Sequence, residues 1–319
     1  MGFYDRVAEA IRNNLPSRKP QLWDDLPLAI RRRLAYAVGR RLDAAWLDKP
    51  RLARLSRLPV QMELLSRSLP ERVIFLYGTY EFAATRFFKT FLKAGMAVAD
   101  IGANVGYFSL LAAQLVEESG DVYAFEPVPA IVKRLRRNVE LNSFDRVQVH
   151  ERAVAGDTGE HVFYESNLAE NQGVASLLPG DSRRDVGFRV QTVSIDDFIQ
   201  SLREPRLDLI KIDVEGAETE VFAGAQKLLA RPDAPALVFE SFDVANHVDM
   251  LGSLGYTVRA LAYSTARRQL EFLETTSSVD GGFVRYEAPN YVALKERGPH
   301  GTFANLAAAS DRRATPRRR

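Results

Sequence analysis

Cysteine is absent from this 319-residue sequence. With it go thiol nucleophiles, disulfide staples, zinc–cysteine sites and iron–sulfur clusters. Histidine is scarce: His150, His161, His247 and His300 show no metal-ligand spacing such as His-x-x-x-His, so each reads as structural. No apolar run approaches the ~18–20 residues of a membrane-spanning helix. The charged stretch Met1–Asn14 lacks the apolar core of a secretory signal. A soluble, cytoplasmic protein is expected. The Gly-x-Gly-x-x-Gly fingerprint of dinucleotide sites is missing too, and no internal repeat is visible.

What is present is an ordinary globular composition, 46% hydrophobic and 26% charged, ample for a sizeable core. The small net charge of +2 hides an uneven distribution. Met1–Val60 carries 13 Lys/Arg against 6 Asp/Glu, and Arg312–Arg319 adds five arginines, so the middle of the chain is net acidic. Arg31-Arg32-Arg33 and Arg40-Arg41 lack the interleaved aromatics of a single-strand platform. A solvated or interdomain face is the simplest reading. Peripheral contact with an anionic membrane comes second, and nucleic acid is not expected.

From Asp24 to about Leu69 the apolar spacing is helical, punctuated by Pro50, Pro59 and Pro70. Val73–Tyr77 is a β-rich run, followed by a helix over Glu81–Lys93. Strand and helix then alternate. Strands are expected at Ala97–Ile101, Val122–Glu126, Val147–Glu151, Leu207–Asp213, Ala236–Glu240, Tyr256–Leu261 and Tyr291–Leu294. Between them come helices at Tyr107–Val116, Pro129–Asn142, Glu218–Leu229 and Val244–Leu254. This pattern predicts an α/β, Rossmann-like fold: a mostly parallel seven-stranded sheet with helices on both faces. His161–Glu165 and Phe188–Val193 read as an inserted β-hairpin (about 160–193) around the loop Ser166–Gly187, ending in a helix start at Ser194. The expected domains are a basic helical extension (1–72), a catalytic domain (73–296) and a disordered Arg-rich tail (297–319).

Four segments carry chemistry. Asp100-Ile101-Gly102-Ala103-Asn104-Val105-Gly106 takes a strand through a Gly-rich turn into a helix, whose unpaired amides face a ligand. Asn104 and Val105 interrupt the dinucleotide pattern. Asp100 suits an ammonium group better than a pyrophosphate, which favours S-adenosylmethionine. Glu126, followed by Pro127 and Val128, stands about twenty positions on, where a carboxylate holds a ribose diol.

In Leu209–Glu218, Lys211 and Asp213 share one strand face, so a structural ion pair is one reading of them. Asp213 and Glu215 lie where open α/β sheets bind ligands, and Glu218 reads equally as a helix cap. Glu240 ends the neighbouring strand, so Asp213 and Glu240 face one another. Together they are candidates for holding Mg²⁺, although no third ligand is identifiable, or for acting as general base toward a hydroxyl.

Asp100–Gly106, Phe125-Glu126-Pro127, Asn138, Asn142, Ala153-Val154, Val193–Asp196 and above all Ile210–Glu218 resemble the FkbM family of methyltransferases, in that order along Val98–Ser241. The resemblance implies a class I methyltransferase sheet with a reversed last strand, S-adenosyl-L-methionine as cofactor, and usually O-methylation. The implied acceptors are sugars, lipid-linked compounds or secondary metabolites. Asp100, Gly102, Asn104, Gly106, Glu126, Pro127, Ala153 and Asp213 would bind the cofactor. Asp213, Glu215 and Glu240 would act on the acceptor, with the Ser166–Gly187 loop as wall or lid. The rivals are an NAD(P)-dependent oxidoreductase and a non-catalytic module binding anionic membrane or nucleic acid through the basic ends.

Overall fold

The structure, a computed structural model, describes residues 50–55, 58–65, 68–165, 175–176, 186–241, 243–264, 267, 269–275, 289–295 and 298–312. Most of the basic N-terminal segment, residues 166–174 and 177–185 of the loop and the arginines beyond Arg312 lie outside these residues. So do the functions expected of them. The chain divides into two units, the first running to Tyr80 and the second beginning at Glu81.

The first unit corrects two expectations. Strands β1 (Arg51–Arg54) and β2 (Gln61–Leu64) form an antiparallel hairpin in place of short helices. Pro59 falls in its connection, and the alternating Ala53, Met62 and Leu64 are buried. The β-rich run at Val73–Tyr77 is instead part of helix α1 (Leu69–Tyr77). Ser68 at its N-cap accepts from the Glu71 amide, Pro70 occupies the first turn, and Gly78 closes it in a left-handed conformation. Strong caps at both ends outweigh the mild strand preference of Val73, Ile74 and Phe75.

The second unit begins with α2 (Phe82–Phe91). There follow β3 (Ala97–Ile101), α3 (Tyr107–Val116), β4 (Asp121–Phe125), α4 (Pro129–Glu140) and β5 (Val147–His150). The insertion comprises β6 (Ala153–Val154), β7 (Gly159–Glu165), β8 (Ala175–Ser176) and β9 (Val186–Val193). As expected, β7 and β9 form a hairpin. Helix α5 (Ile195–Ser201) starts on Ser194, whose Oγ accepts from the Asp197 amide at 3.1 Å.

Then come β10 (Leu209–Ile212), α6 (Glu218–Ala223), α7 (Gln226–Ala230), β11 (Ala236–Glu240) and α8 (Val244–Ser253). The chain continues through β12 (Tyr256–Ser264), β13 (Gln269–Leu273), β14 (Asn290–Lys295) and α9 (Phe303–Arg312). The single helix expected over Glu218–Leu229 is broken at Gly224, where an added Cβ would stand 2.0 Å from the Ala155 carbonyl. Asp196 explains part of that break. Its buried carboxylate accepts from the Lys227 and Leu228 amides at the start of α7.

The main sheet has the order β13-β12-β14-β11-β10-β3-β4-β5. Five neighbours, β11 to β5, are parallel, and β14 runs against β11 and β12. Seven strands carry the expected arrangement with its reversed last strand, and β13 adds an eighth at the edge. The expected disordered tail is partly helical. Phe303 of α9 packs on Phe272, and the Leu270 amide of edge strand β13 donates to Ser310 Oγ. Ala97, Ala99 and Ile101 join the core on the α5–α8 side of the sheet, leaving Asp100 and Lys211 to face α3. Strand order reverses between β3 and β10, and the crevice there opens at the carboxyl ends of the strands, where such sheets take ligands.

Candidate active site

The turn after β3 has three left-handed residues: Gly102 (φ 80°), Asn104 (φ 49°) and Gly106 (φ 96°). The Gly102 and Ala103 amides both donate to the Phe125 carbonyl, tying the turn to the end of β4. An added Cβ on Gly102 would stand 1.8 Å from the Asp213 carbonyl, and one on Gly106 would stand 2.5 Å from Leu135 Cδ1. These two glycines therefore allow close approach of protein to protein at the turn. Asn104 accepts its left-handed conformation with its Oδ1 bonded to the Val105 amide at 2.8 Å.

Glu126 lies one residue beyond β4 and is 5% exposed. Its Oε2 accepts from the Asn104 amide and its Oε1 from the Val128 amide, each at 3.0 Å. Burial pushes its carboxyl up to about 7 against the pull of those two amides. One lone pair of each oxygen remains for a further donor, so the carboxylate is aimed and still has capacity. Pro127 follows at the half-buried rim. Val128 packs with Ala153, Phe163 and Val190 in a small cluster, so the hairpin backs the wall that carries Glu126. Asn138, unremarked except in the resemblance, donates from α4 to the Val105 carbonyl at 2.8 Å and pins the turn from below.

Across the crevice Lys211 is 2% exposed. Its Nζ donates to Asp213 Oδ2 at 2.9 Å and lies 4.5 Å above the Phe108 ring. Desolvation disfavours the ammonium, but the charge of Asp213 first, then of Glu81 and Asp100, outweighs it and holds the lysine charged. Asp100 sits beneath the turn rather than in its mouth: Ser109 Oγ donates to its Oδ2 at 2.6 Å, and burial raises its carboxyl.

Asp213 retains 22% side-chain exposure. Glu215 is exposed beside it in a left-handed conformation (φ 52°). Its carboxyl is raised by desolvation and by the charges of Asp213 and Glu218. Glu218 resolves toward a structural part, since its Oε1 accepts from the Gly216 amide at 3.0 Å.

The register of β10 with β11 puts Glu240 beside Asp213, as expected. Burial first, then the charges of Asp213 and Glu81, push the Glu240 carboxyl to about 11. Near neutral pH it is an acid, a donor rather than a base, and Asn290 Nδ2 reaches its Oε1 at 3.5 Å. Among the described residues no three His, Asp or Glu groups have the geometry to hold a metal ion. Lys211 already occupies the position facing Asp213, so Mg²⁺ does not fit and no step runs through it.

Glu81 was missed by the sequence reading. It looked like an ordinary acid at a helix start. It is instead 4% exposed in a left-handed conformation (φ 37°), with its charge acting on Lys211 and Glu240. The four histidines take structural places. His247 bridges Ser241 and Thr219, His150 stacks on Phe125, His161 meets Asp157 and His300 lies against Phe91. Tyr291 and Lys295 have the Tyr-x-x-x-Lys spacing used by some oxidoreductases, but on a strand. There the two lie roughly 13 Å apart and cannot share a proton.

Sheet order, switch-point crevice, aimed carboxylate and acidic mouth together define a class I methyltransferase domain. Residues 100–263 match the methyltransferase FkbM domain, about half of the chain. The protein belongs to that family.

Among curated relatives, the 2-O-methyltransferase NoeI of Sinorhizobium fredii is 28% identical over 152 residues, covering 44% of this chain and 61% of its own. The hexuronic acid methyltransferase AglP of Haloferax volcanii is 27% identical over 130 residues, covering 41% and 50%. The matched region thus spans only half to three-fifths of these relatives. A solved FkbM methyltransferase from Methylobacillus flagellatus is 15% identical with a TM-score of 0.41, covering 69% of this chain and 52% of that one.

Proposed function

We propose that the protein is an S-adenosylmethionine-dependent O-methyltransferase acting on a hydroxyl of a sugar, a lipid-linked sugar or a hydroxylated secondary metabolite. The observation that carries this reading is Glu126, a buried carboxylate aimed by the Asn104 and Val128 amides beside a left-handed turn. Two oxygens, each with one lone pair unspent, match the paired hydroxyls of a ribose. The names of NoeI and AglP support an oxygen on a carbohydrate as acceptor.

S-adenosylmethionine, when bound, supplies a methyl group already activated by its sulfonium sulfur. The chain has three tasks left: place the acceptor oxygen in line, exclude water and receive the proton. Glu126 holds the ribose, with Pro127 and the backbone near Ala153 bordering the base. Gly102, Asn104 and Gly106 shape the turn beside the methionine portion, and Asp100 supports that turn from below. Asp213 accepts the hydroxyl proton at its carboxylate, Glu215 lines the outer edge, and Glu240, protonated, donates a hydrogen bond to a second acceptor oxygen.

Transfer of labelled methyl groups should be screened over hexuronides, neutral sugars, glycolipids and polyketides, with S-adenosylhomocysteine binding measured by calorimetry. Micromolar binding with transfer to an oxygen supports the reading. Absence of both overturns it. Steep salt dependence of binding to anionic vesicles would instead favour the membrane-binding rival. No helix among the described residues is long and apolar enough to cross a membrane.

A further inference from the structure

Lys211 is buried at a cost. It stands in the central strand β10 between Ile210 and Ile212, with the fully buried Val238 opposite it on β11 and the buried Asp100 opposite it on β3. One neighbour in the row is aliphatic and the other is a carboxyl group. Taking an ammonium out of water is costly, and replacing a buried ion pair by packed apolar groups often leaves a protein as stable or more so.

What surrounds the ammonium points upward, to the mouth of the site. Phe108, from the helix after the cofactor turn, supports it from one side at 4.5 Å. The Asp100 carboxylate beside it is engaged by Ser109. Glu81, preceding α2, adds negative charge from a further element. The ammonium donates to Asp213 Oδ2 at 2.9 Å, two residues along the same strand face and at the solvent edge. Its partner keeps 22% side-chain exposure at the carboxyl end of the sheet.

We propose that Lys211 is a positioning residue, whose buried ammonium fixes Oδ2 of Asp213 so that Oδ1 is presented to the acceptor hydroxyl. Lys211 touches neither cofactor nor acceptor and acts only through Asp213. Asp213, Glu81 and Asp100 keep it charged at the centre of the group. The proposal rests on the methyltransferase reading, in which Asp213 receives the acceptor proton.

The test compares Lys211→Met and the more polar Lys211→Gln with the full-length wild type. Crystal structures with S-adenosylhomocysteine are expected to show the Asp213 carboxylate displaced by ~1 Å or spread over conformers, a shift large enough to matter for catalysis. Calorimetric affinity for S-adenosylhomocysteine should stay within about 3-fold, because Glu126 and the turn are untouched. With an acceptor found in the screen, kcat should fall about 100-fold while KM changes little. Adding Lys211→Met to Asp213→Asn should then cost almost nothing more.

An unmoved Asp213 in either variant, or additive losses in the double variant, would overturn the proposal. If Lys211→Met does not fold, Lys211→Gln carries the same two outcomes. Failure of the wild type to bind S-adenosylhomocysteine would sink the methyltransferase reading instead, and the displacement of Asp213 would still be measurable in the unliganded crystals.

Discussion

Glu126 on one side of the crevice and Asp213 on the other are both carboxylates drawn back from solvent, but they are held by different means. Glu126 is aimed by two backbone amides of its own wall, and burial first, then the charges of Asp100 and Asp213, raise its carboxyl. Asp213 is aimed by a buried side-chain ammonium that answers to two other carboxyl groups. Amides cannot change charge, so the cofactor side is a rigid socket. The acceptor side is a balance of protons and charges, in which altering one member changes the others. A pocket for one unvarying cofactor suits the first kind of construction. A proton-accepting site suits the second.

The sharpest way to break this comparison is Asp213→Asn. It should lower kcat by about 10²–10⁴-fold while leaving S-adenosylhomocysteine affinity nearly unchanged, as read by methyl-transfer kinetics and calorimetry on one preparation. Loss of both together would mean that the two sides are not separate.

Gly102→Ala should next cost several kcal/mol of stability, because the new Cβ meets the Asp213 carbonyl at 1.8 Å in a left-handed backbone. Thermal melting without ligand measures it. An unperturbed melt would show that the turn can relax away from β10.

Glu126→Ala should weaken S-adenosylhomocysteine binding by about 10–100-fold, the worth of charge-assisted hydrogen bonds, with little change in the fold. pH sharpens the same point. Its carboxyl, raised to about 7, ionises only as pH climbs through that value, so affinity should increase between pH 6 and 8, with Glu126→Gln flattening the profile. In the unliganded protein the same raised carboxyl favours folding most at low pH. That contribution should fade as pH rises from the ordinary carboxylate range through 7.

Glu240→Gln should do least. A group already protonated near neutrality loses only a neutral hydrogen bond, under about 1 kcal/mol, and an amide can still donate. A rate loss as large as that of Asp213→Asn would return Glu240 to the role of base.

Most of the parallel sheet was legible because its strands are near-continuous apolar runs bounded by short turns, and β3, β4, β10 and β11 fall within two residues of their expected ends. The cofactor side was legible for a local reason: turn, carboxylate and wall come from two consecutive β–turn–α units. Errors clustered where a local signal was outweighed. The caps at Ser68 and Gly78 turned a β-rich run into α1, and α9 took residues read as disordered by packing on β13. The Lys211–Asp213 pair was visible from strand alternation. Glu81 was not, since its carboxylate reaches that pair only through the packing of α2.

The sequence alone carried the family resemblance, the positions of the parallel strands and the residues at the carboxyl ends of β3, β4, β10 and β11, because strand periodicity and turn chemistry are properties of neighbouring residues. The protonation of Glu240, the charge of Lys211 and the place of Glu81 were decided by the tertiary structure alone. Each depends on burial and on the field of charges brought together from separate elements, and no stretch of sequence carries that sum.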